Sequence, residues 1–217
     1  MSDVIIMGSQ GPVPAHQRGR LIFALDATAS RGPTWNIARD LQAKMFREAA
    51  PLGELELQLV YYGGTTCQAS RWHKSGERLV QLMNGIKCEG GCTQIGRVLE
   101  HVLHEHEKAP IKAVTFIGDA IEVDDGPWAG IATDRIDVLS DLAGQLGAKG
   151  VPLYMFQEGH DDKVAGVFRI MALRSGGKYF QFNPEKPRAI ERLSAQLNAV
   201  ARLAVGDTGA VKRIAAK

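Results

Sequence analysis

The chain has 217 residues, of which 45% are hydrophobic and 23% are charged, and its formal net charge is +2. These values are ordinary for one globular domain and exclude the dense positive surface typical of nucleic-acid-binding proteins. No apolar stretch reaches the length of about 20 residues that spans a bilayer, and three cysteines are too few for a disulfide framework.

The ends of the chain differ from its middle in composition. Residues 1–19 are rich in Gly, Pro, Ser and Gln without periodicity, and they predict a flexible arm. They lack the charged start and apolar run of a signal peptide, so we expect a reducing, cytoplasmic location. Residues 204–217 predict a solvated tail rather than a binding arm. Residues 20–203 are expected to form one domain.

Six segments of the chain predict strands. The first, Arg20–Leu25, is an unbroken apolar run, which is typical of a strand buried on both faces of a parallel sheet. The second alternates Leu55, Leu57 and Leu59 before it reaches Gly63. A short strand follows so closely that it must turn back beside the second one. This strand and the other three predicted strands are Cys67–Trp72, Ala113–Ile117, Val151–Phe156 and Lys178–Phe182.

Helices are predicted between the strands, where apolar residues recur at spacings of three and four. The clearest apolar stripe is Ile95, Val98, Leu99, Val102 and Leu103. The other predicted helices cover residues 37–45, 79–83, 136–146, 164–173 and 190–200.

Strands that alternate with helices predict an α/β fold of the three-layer, doubly wound, Rossmann-like type. We expect a mainly parallel six-stranded sheet with one antiparallel edge strand, which comes from the early hairpin. In such sheets ligands bind at the carboxyl ends of the strands, where the strand order reverses. The residues that leave the strands are therefore the first candidates for a functional site.

Oxygen-bearing side chains follow two of these strands. Asp26, Thr28 and Ser30 come after the first strand at alternate positions and can face one site as the chain turns. Asp119 ends the strand after the long helix, and Thr93 precedes that helix in a glycine-rich loop. Carboxylate and hydroxyl oxygens are ligands that Mg²⁺ and Mn²⁺ prefer. The sequence therefore predicts one hard-cation site.

The pattern Asp-x-Thr-x-Ser, a Thr before the long helix, and Gly-Asp after the next strand resembles a known site. It is similar to the metal-ion-dependent adhesion site of von Willebrand factor A (VWA) domains, in a bacterial, cytosolic, stand-alone form. The likeness covers residues 20–203, including the order of elements. This chain departs from the family at Thr28, where Ser is more frequent, and at Ala120, where Gly is frequent.

The resemblance implies a role for each matching residue. Thr28, Ser30 and Thr93 would be hydroxyl ligands of one Mg²⁺ or Mn²⁺, with Ca²⁺ less expected. Asp26 and Asp119 would hold the cation directly or through water. Neutral hydroxyls leave the cation attractive to a further carboxylate. We therefore expect a protein partner that presents an Asp or Glu, with no nucleic acid and no membrane involved.

Several nearby residues have two interpretations. Trp35 and Trp128 lie in segments expected beside the site, where they would contact a partner; alternatively, they cover the edge of the core. Glu122, Asp124 and Asp125 follow the Asp119 strand and favour a solvated loop and a helix cap; alternatively, they screen the site.

Simpler explanations exist for the other candidate ligands. Asp26 and Ser30 would also serve as caps of the following helix. The third helix carries His101, His104 and His106 near its end, where the helix dipole favours them without any zinc. Cys88 and Cys92 lie four residues apart, and free thiols are expected there rather than a zinc or redox pair.

The competing functional class is a metal-dependent hydrolase that uses the same site. A phosphatase of the haloacid-dehalogenase kind places a second Asp two residues after the first, but Thr28 stands at that position. The sequence has no phosphate-binding loop with a Lys and no nucleophile elbow. We therefore expect a binding module and no enzyme activity.

Overall fold

A computed structural model describes residues 19–37, 39–40, 55–74, 76–122, 132–186 and 188–206. The strands within these ranges are β1 (Gly19–Asp26), β2 (Leu55–Gly63), β3 (Thr66–Ala69), β4 (Ala113–Gly118), β5 (Leu153–Glu158) and β6 (Lys178–Phe182). The helices are α1 (Gly76–Gly85), α2 (Ile95–Lys108), α3 (Ala132–Ala148), α4 (Asp162–Ser175) and α5 (Ala189–Ala204). A 3₁₀ turn, Ala29–Arg31, follows β1.

In the described part of the chain these strands form one sheet in the order β3-β2-β1-β4-β5-β6. Every neighbouring pair is parallel except β2 and β3, which are antiparallel. This confirms the predicted α/β fold with one antiparallel edge strand. The chain runs outward from β1 through β2 to one edge, then crosses back to β4 and continues to the other edge. The strand order therefore reverses between β1 and β4.

Alternation along β1 divides the core into two layers. Leu21, Phe23 and Leu25 belong to one apolar cluster, which α1 and α5 cover. Ile22 and Ala24 belong to the other cluster, which α2, α3 and α4 cover. A strand with both faces covered has to be apolar throughout, which explains the unbroken run in the sequence.

Some element boundaries differ from the predicted ones, for local reasons. The short edge strand ends at Ala69 instead of Trp72, although His73 and Leu57 still exchange two backbone hydrogen bonds of 2.8 Å. Helix α4 is longer than predicted because Asp161 caps it, accepting backbone hydrogen bonds, and Gly176 ends it at φ 76°.

The expected domain limits fall close to a contact between the two ends of the described chain. A Cβ atom on Gly19 would lie 2.3 Å from the carbonyl oxygen of Ala204, so the start of β1 packs directly on the end of α5. Gly19 thus belongs to the sheet and not to the predicted arm. The rest of that arm and residues 207–217 lie outside the described residues, as does most of the helix predicted over 37–45.

No helix among the described residues has both the length and the apolar character that a transmembrane span needs.

Candidate functional site

The reversal of strand order brings two aspartates together. Asp26 is the last residue of β1, and Asp119 directly follows the last residue of β4, Gly118. A Cβ atom on Gly118 would lie only 3.2 Å from the Cβ of Asp26 and 2.8 Å from the ring of Phe116. A larger residue would not fit there, so the glycine lets the two strand ends approach. The structure thus places both predicted aspartates at the switch point of the sheet.

Asp26 is a buried carboxylate with only one satisfied oxygen. Its side chain has no exposed surface. The backbone N–H of Thr28 donates to Oδ1 at 2.8 Å, whereas Oδ2 is buried without a hydrogen-bond partner. Burial raises the pKa of Asp26, the hydrogen bonds from Thr28 oppose this rise, the charge of Asp119 adds to it, and the nearby Tyr62 hydroxyl opposes it, although the Tyr62 geometry falls short of a hydrogen bond. A free, desolvated carboxylate oxygen is the chemistry expected of a cation ligand.

Two predicted hydroxyl ligands lie side by side. The hydroxyl oxygens of Thr28 and Ser30 are 3.1 Å apart, which places both on the same side of the turn after β1. Thr28 precedes the 3₁₀ turn, yet its side chain makes no capping hydrogen bond. Asp26 does hold the turn through Oδ1, as the capping alternative requires, but this uses only half of the carboxylate.

The loop that carries Thr93 lies against the ends of β1 and β2. Glu89 donates its backbone N–H to the carbonyl of Ala27 at 3.0 Å and forms an isolated bridge with Thr28. A Cβ atom on Gly91 would lie 1.9 Å from the carbonyl oxygen of Gly64, so this loop packs backbone against backbone on the β2–β3 turn. Thr93 itself is half-buried and comes two residues before α2.

Unsatisfied polar atoms concentrate at this end of the sheet. Among the described residues, eight buried side-chain nitrogen or oxygen atoms have no hydrogen-bond partner, and seven of them lie here. These atoms are Asp26 Oδ2, three nitrogens of Arg31, the Tyr62 hydroxyl, Asp119 Oδ1 and Glu158 Oε2. Buried polar atoms are normally paired. A cluster of unpaired ones at the ligand-binding end of a doubly wound sheet indicates a site that takes up further atoms.

Sequence reasoning missed three members of this cluster. Tyr62 is near the end of β2, Glu158 ends β5, and Arg31 directly follows the Asp-x-Thr-x-Ser pattern. Tyr62 and Glu158 stand at the carboxyl ends of strands, as Asp26 and Asp119 do, whereas Arg31 ends the 3₁₀ turn after β1. Extending the same positional criterion to every predicted strand would have found Tyr62 and Glu158.

Arg31 is the most unusual of the three because its side chain has no exposed surface. One terminal nitrogen lies 3.2 Å from Glu158 Oε2, and the Glu158 side chain is 11% exposed. The two atoms are close enough for an ion pair, but their angles do not meet the geometry of a hydrogen bond. The pair therefore neutralises charge without saturating the guanidinium donors.

The structure also locates the other candidate residues. Trp35 is 7% exposed and packs in the core cluster with α1 and α5, so its ring covers the edge of the core and leaves little surface for a partner. Glu122 accepts a 2.7 Å hydrogen bond from the backbone N–H of Gly96 in the first turn of α2, which is the capping role considered for this loop. Trp128, Asp124 and Asp125 lie outside the described residues.

The candidate soft-metal ligands have other partners. His101 contacts Gln58 Oε1 at 2.9 Å, and His106 accepts from the backbone N–H of Ile111. All three cysteines are free thiols. Over the described ranges, no group of three or more His, Cys, Asp or Glu side chains is arranged to hold a metal. The predicted site differs in kind, because most of its donors are hydroxyls.

Comparisons with known proteins identify the fold. No protein-family model matches the sequence, and no curated protein matches it. The SpRpn10 VWA domain is similar in structure, with a TM-score of 0.63 and 12% identity over 82% of this chain and 95% of that chain. The vWF domain of the type V pili tip protein Mfa5 from Porphyromonas gingivalis has a TM-score of 0.66 and 10% identity, over 85% and 94% of the two chains.

A third similar structure is the pilus adhesin SpaC from Lactobacillus rhamnosus GG, with a TM-score of 0.63 and 10% identity. The match covers 87% of this chain but 30% of the adhesin, so the likeness is to one part of that protein. Identities this low show a shared fold and nothing further. The chain has the α/β fold of von Willebrand factor A domains.

Proposed function

We propose that this protein is a divalent-cation-dependent binding module whose cation coordinates an Asp or Glu side chain of a partner protein. The observation that carries the proposal is the cluster of unpaired buried atoms where the strand order reverses. Three of these atoms are carboxylate oxygens, and two of the three belong to the proposed ligands Asp26 and Asp119. They lie at the same end of the sheet as the adjacent hydroxyls of Thr28 and Ser30.

The donor set fits a small hard cation. Mg²⁺ and Mn²⁺ take oxygen ligands in octahedral geometry and usually keep waters or accept an outside ligand. Thr28, Ser30 and Thr93 would supply hydroxyl oxygens, and Asp26 and Asp119 would bind directly or through water. When bound, the cation supplies a positive centre with one coordination position open to a carboxylate. We further propose that the module is a bacterial, cytoplasmic, stand-alone protein.

The chain's own residues explain why binding would depend on the cation. Without it, Asp26 and Asp119 present two nearby negative charges, which repel an acidic partner. With it, the local charge is compensated and the partner carboxylate completes the shell. Linkage then requires that the partner tighten cation binding by the same factor by which the cation tightens partner binding. The names of two similar structures, a pilus tip protein and a pilus adhesin, agree with a role in binding.

The direct test is affinity capture of partners from the native cell in Mg²⁺ and again in chelator, with wild type and Asp26→Ala. We expect at least one partner that wild type retains only in Mg²⁺ and that Asp26→Ala never retains. The same partner recovered at full strength in chelator would overturn the proposal.

A finer test uses the loop hydroxyl and a matched control. Thr93→Ala removes a proposed ligand, whereas Thr65→Ala removes an exposed hydroxyl from the β2–β3 turn. We expect Thr93→Ala to weaken Mg²⁺-dependent partner binding at least about tenfold, because one ligand is lost. Thermal melts should move little in either variant. Equal partner affinities for the two variants would remove Thr93 from the site.

The hydrolase alternative makes a different prediction. We expect no phosphatase, esterase or nucleotidase turnover with Mg²⁺ or Mn²⁺. Turnover that is abolished in a folded Asp26→Ala variant would replace the binding proposal with the enzyme alternative.

A further inference from the structure

The buried residue Arg31 lies beside the site, and cation coordination by the proposed ligands does not explain its presence there. A guanidinium carries five N–H donors and remains charged at any ordinary pH. The Arg31 side chain has no exposed surface, its three guanidinium nitrogens lack hydrogen bonds, and it makes an ionic contact with Glu158 at 3.2 Å. Burying such a group is unfavourable unless its charge is compensated. A residue that only filled space here would not need a charge.

Arg31 also lies within electrostatic reach of the groups around the aspartates. Burial raises the pKa of the Cys88 thiol, the charge of Arg31 opposes that rise, and the charges of Asp26 and Asp119 add to it. The backbone also joins Arg31 to the proposed ligands, because its N–H donates to the carbonyl of Thr28 at 3.1 Å. Arg31 and the two aspartates therefore belong to one electrostatic unit.

We propose that Arg31 sets the net charge of the cation site, lowering its affinity for the divalent cation and keeping the loaded site able to attract a carboxylate. This inference rests on the proposed function. With the carboxylates ionised, Asp26, Asp119 and Glu158 carry three negative charges, and Arg31 cancels one. The remaining two match a divalent cation, so the loaded site is neutral. Without Arg31 the loaded site would keep one negative charge and repel an acidic partner.

The proposal makes opposite predictions for the two members of the ion pair. Arg31→Met leaves an extra negative charge, so cation affinity should rise and carboxylate affinity should fall. Glu158→Gln removes a negative charge, so cation affinity should fall and carboxylate affinity should rise. Arg31→Lys keeps the charge and should stay close to wild type. The double variant with Arg31→Met and Glu158→Gln removes one charge of each sign and should also stay close to wild type.

The first measurement is a calorimetric titration with Mn²⁺ of wild type and these four variants. Each single charge change should shift the Mn²⁺ dissociation constant by about tenfold or more, because charges a few ångströms apart interact strongly in partly buried surroundings. The second measurement adds acetate to the Mn²⁺-loaded proteins and follows water-proton relaxation, which reports displacement of water from Mn²⁺. Acetate should bind more weakly in Arg31→Met and more tightly in Glu158→Gln.

The directions in which the cation affinity and the carboxylate affinity change distinguish a charge-setting role from a structural one. A residue that only held the fold would weaken both affinities, or neither, when it is replaced. If Arg31→Met does not fold, then Glu158→Gln, Arg31→Lys and the double variant still test the same signs.

The possible outcomes distinguish this inference from the proposed function. Wild type that binds Mn²⁺ with an affinity unchanged in the single variants overturns the inference and leaves the proposed function standing. Binding by Arg31→Met but not by wild type supports the inference and overturns the proposed function. If neither protein binds Mn²⁺, both are overturned.

Discussion

Two arginines at opposite ends of β1 show how structural and functional polar groups differ in this molecule. Arg20, at the amino end, lies 3.3 Å from Glu56, stacks 3.9 Å from the centre of the Trp72 ring and reaches the carbonyl of Ala109 at 3.5 Å. Arg31, just beyond the carboxyl end, makes one ionic contact within the described part of the chain, with Glu158. Arg20 therefore has three partners, although its Nε lacks a hydrogen bond, whereas all three guanidinium nitrogens of Arg31 lack one.

Two carboxylates repeat this contrast. Burial alone would raise the pKa of Glu105, near the amino end of β1, but hydrogen bonds of 2.6 Å from Lys108 and Trp72 outweigh it, and the pKa is lowered. Asp26 has a raised pKa because burial outweighs its bonds from Thr28. Among the described residues, most buried polar side-chain atoms without a hydrogen bond therefore lie at the carboxyl end, where seven of the eight are found. Unpaired groups that perturb one another are typical of functional sites.

The largest expected effect is a difference between variants of the two arginines. Arg20→Met should lower the free energy of unfolding by about 3 kcal/mol, because it removes the ionic contact with the partly buried Glu56 and the stacking on Trp72, and Mg²⁺ should not change this loss. The destabilisation in Arg31→Met should shrink when Mg²⁺ is added, because the cation compensates the carboxylates that remain. Chemical denaturation with Mg²⁺ and with chelator measures both. Equal Mg²⁺ dependence in the two variants would contradict the division between the two ends of β1.

A smaller effect is expected in the loop that carries Thr93. A Cβ atom on Gly91 would lie 1.9 Å from the backbone of Gly64, whereas one on Gly90 would meet no atom within 4 Å. Gly91→Ala should therefore cost about 2 kcal/mol of unfolding free energy and weaken Mg²⁺ binding. Gly90→Ala should change neither quantity appreciably. Denaturation and cation titration of the two variants test this, and similar behaviour of the pair would show that the loop position does not matter to the site.

The smallest effect concerns Glu122, which links the loop after β4 to α2. Burial raises the pKa of Glu122 and its hydrogen bond from Gly96 opposes the rise, so ionisation is disfavoured in the folded protein. The contribution of Glu122 to the free energy of unfolding is therefore complete below the ordinary carboxyl pKa. It is lost as the pH rises through the raised pKa that Glu122 has in the folded protein. Glu122→Gln keeps the acceptor without the charge, so it should exceed wild type in stability by about 0.5 kcal/mol near neutral pH and match it in acid.

Thermal melts at about pH 4 and about pH 7 measure this difference. Glu122→Ala is the matched control, because it loses the acceptor and should be less stable than Glu122→Gln at both values. A Glu122→Gln variant that is less stable than wild type near neutral pH would show that the charge itself holds the helix.

The fold was predictable because its main signal is local. The apolar run at Arg20–Leu25 and the stripe from Ile95 to Leu103 each follow from the burial of one strand or helix. The cap at Asp161 depends on two hydrogen bonds that one side chain accepts, which apolar periodicity does not record.

The proximity of candidate-site residues could be predicted only where the residues lie close together in one short sequence pattern. Asp26, Thr28 and Ser30 are close in sequence, so their proximity follows from the turn after β1. Glu158 is distant in sequence from Arg31, and their contact depends on the order of strands in the sheet. Trp35 had two interpretations, and its place in the core cluster with α1 and α5 supports the one in which it covers the edge of the core.

The most direct test of the account is a calorimetric titration of wild type and Asp26→Asn with Mg²⁺ or Mn²⁺, paired with melts of the cation-free proteins. We predict a single site in wild type that is absent in Asp26→Asn. The variant should also be more stable without cation by about 1 kcal/mol, because a buried charge with an unpaired oxygen is gone. Wild type that binds neither cation, or an Asp26→Asn variant that binds them as wild type does, would contradict the account.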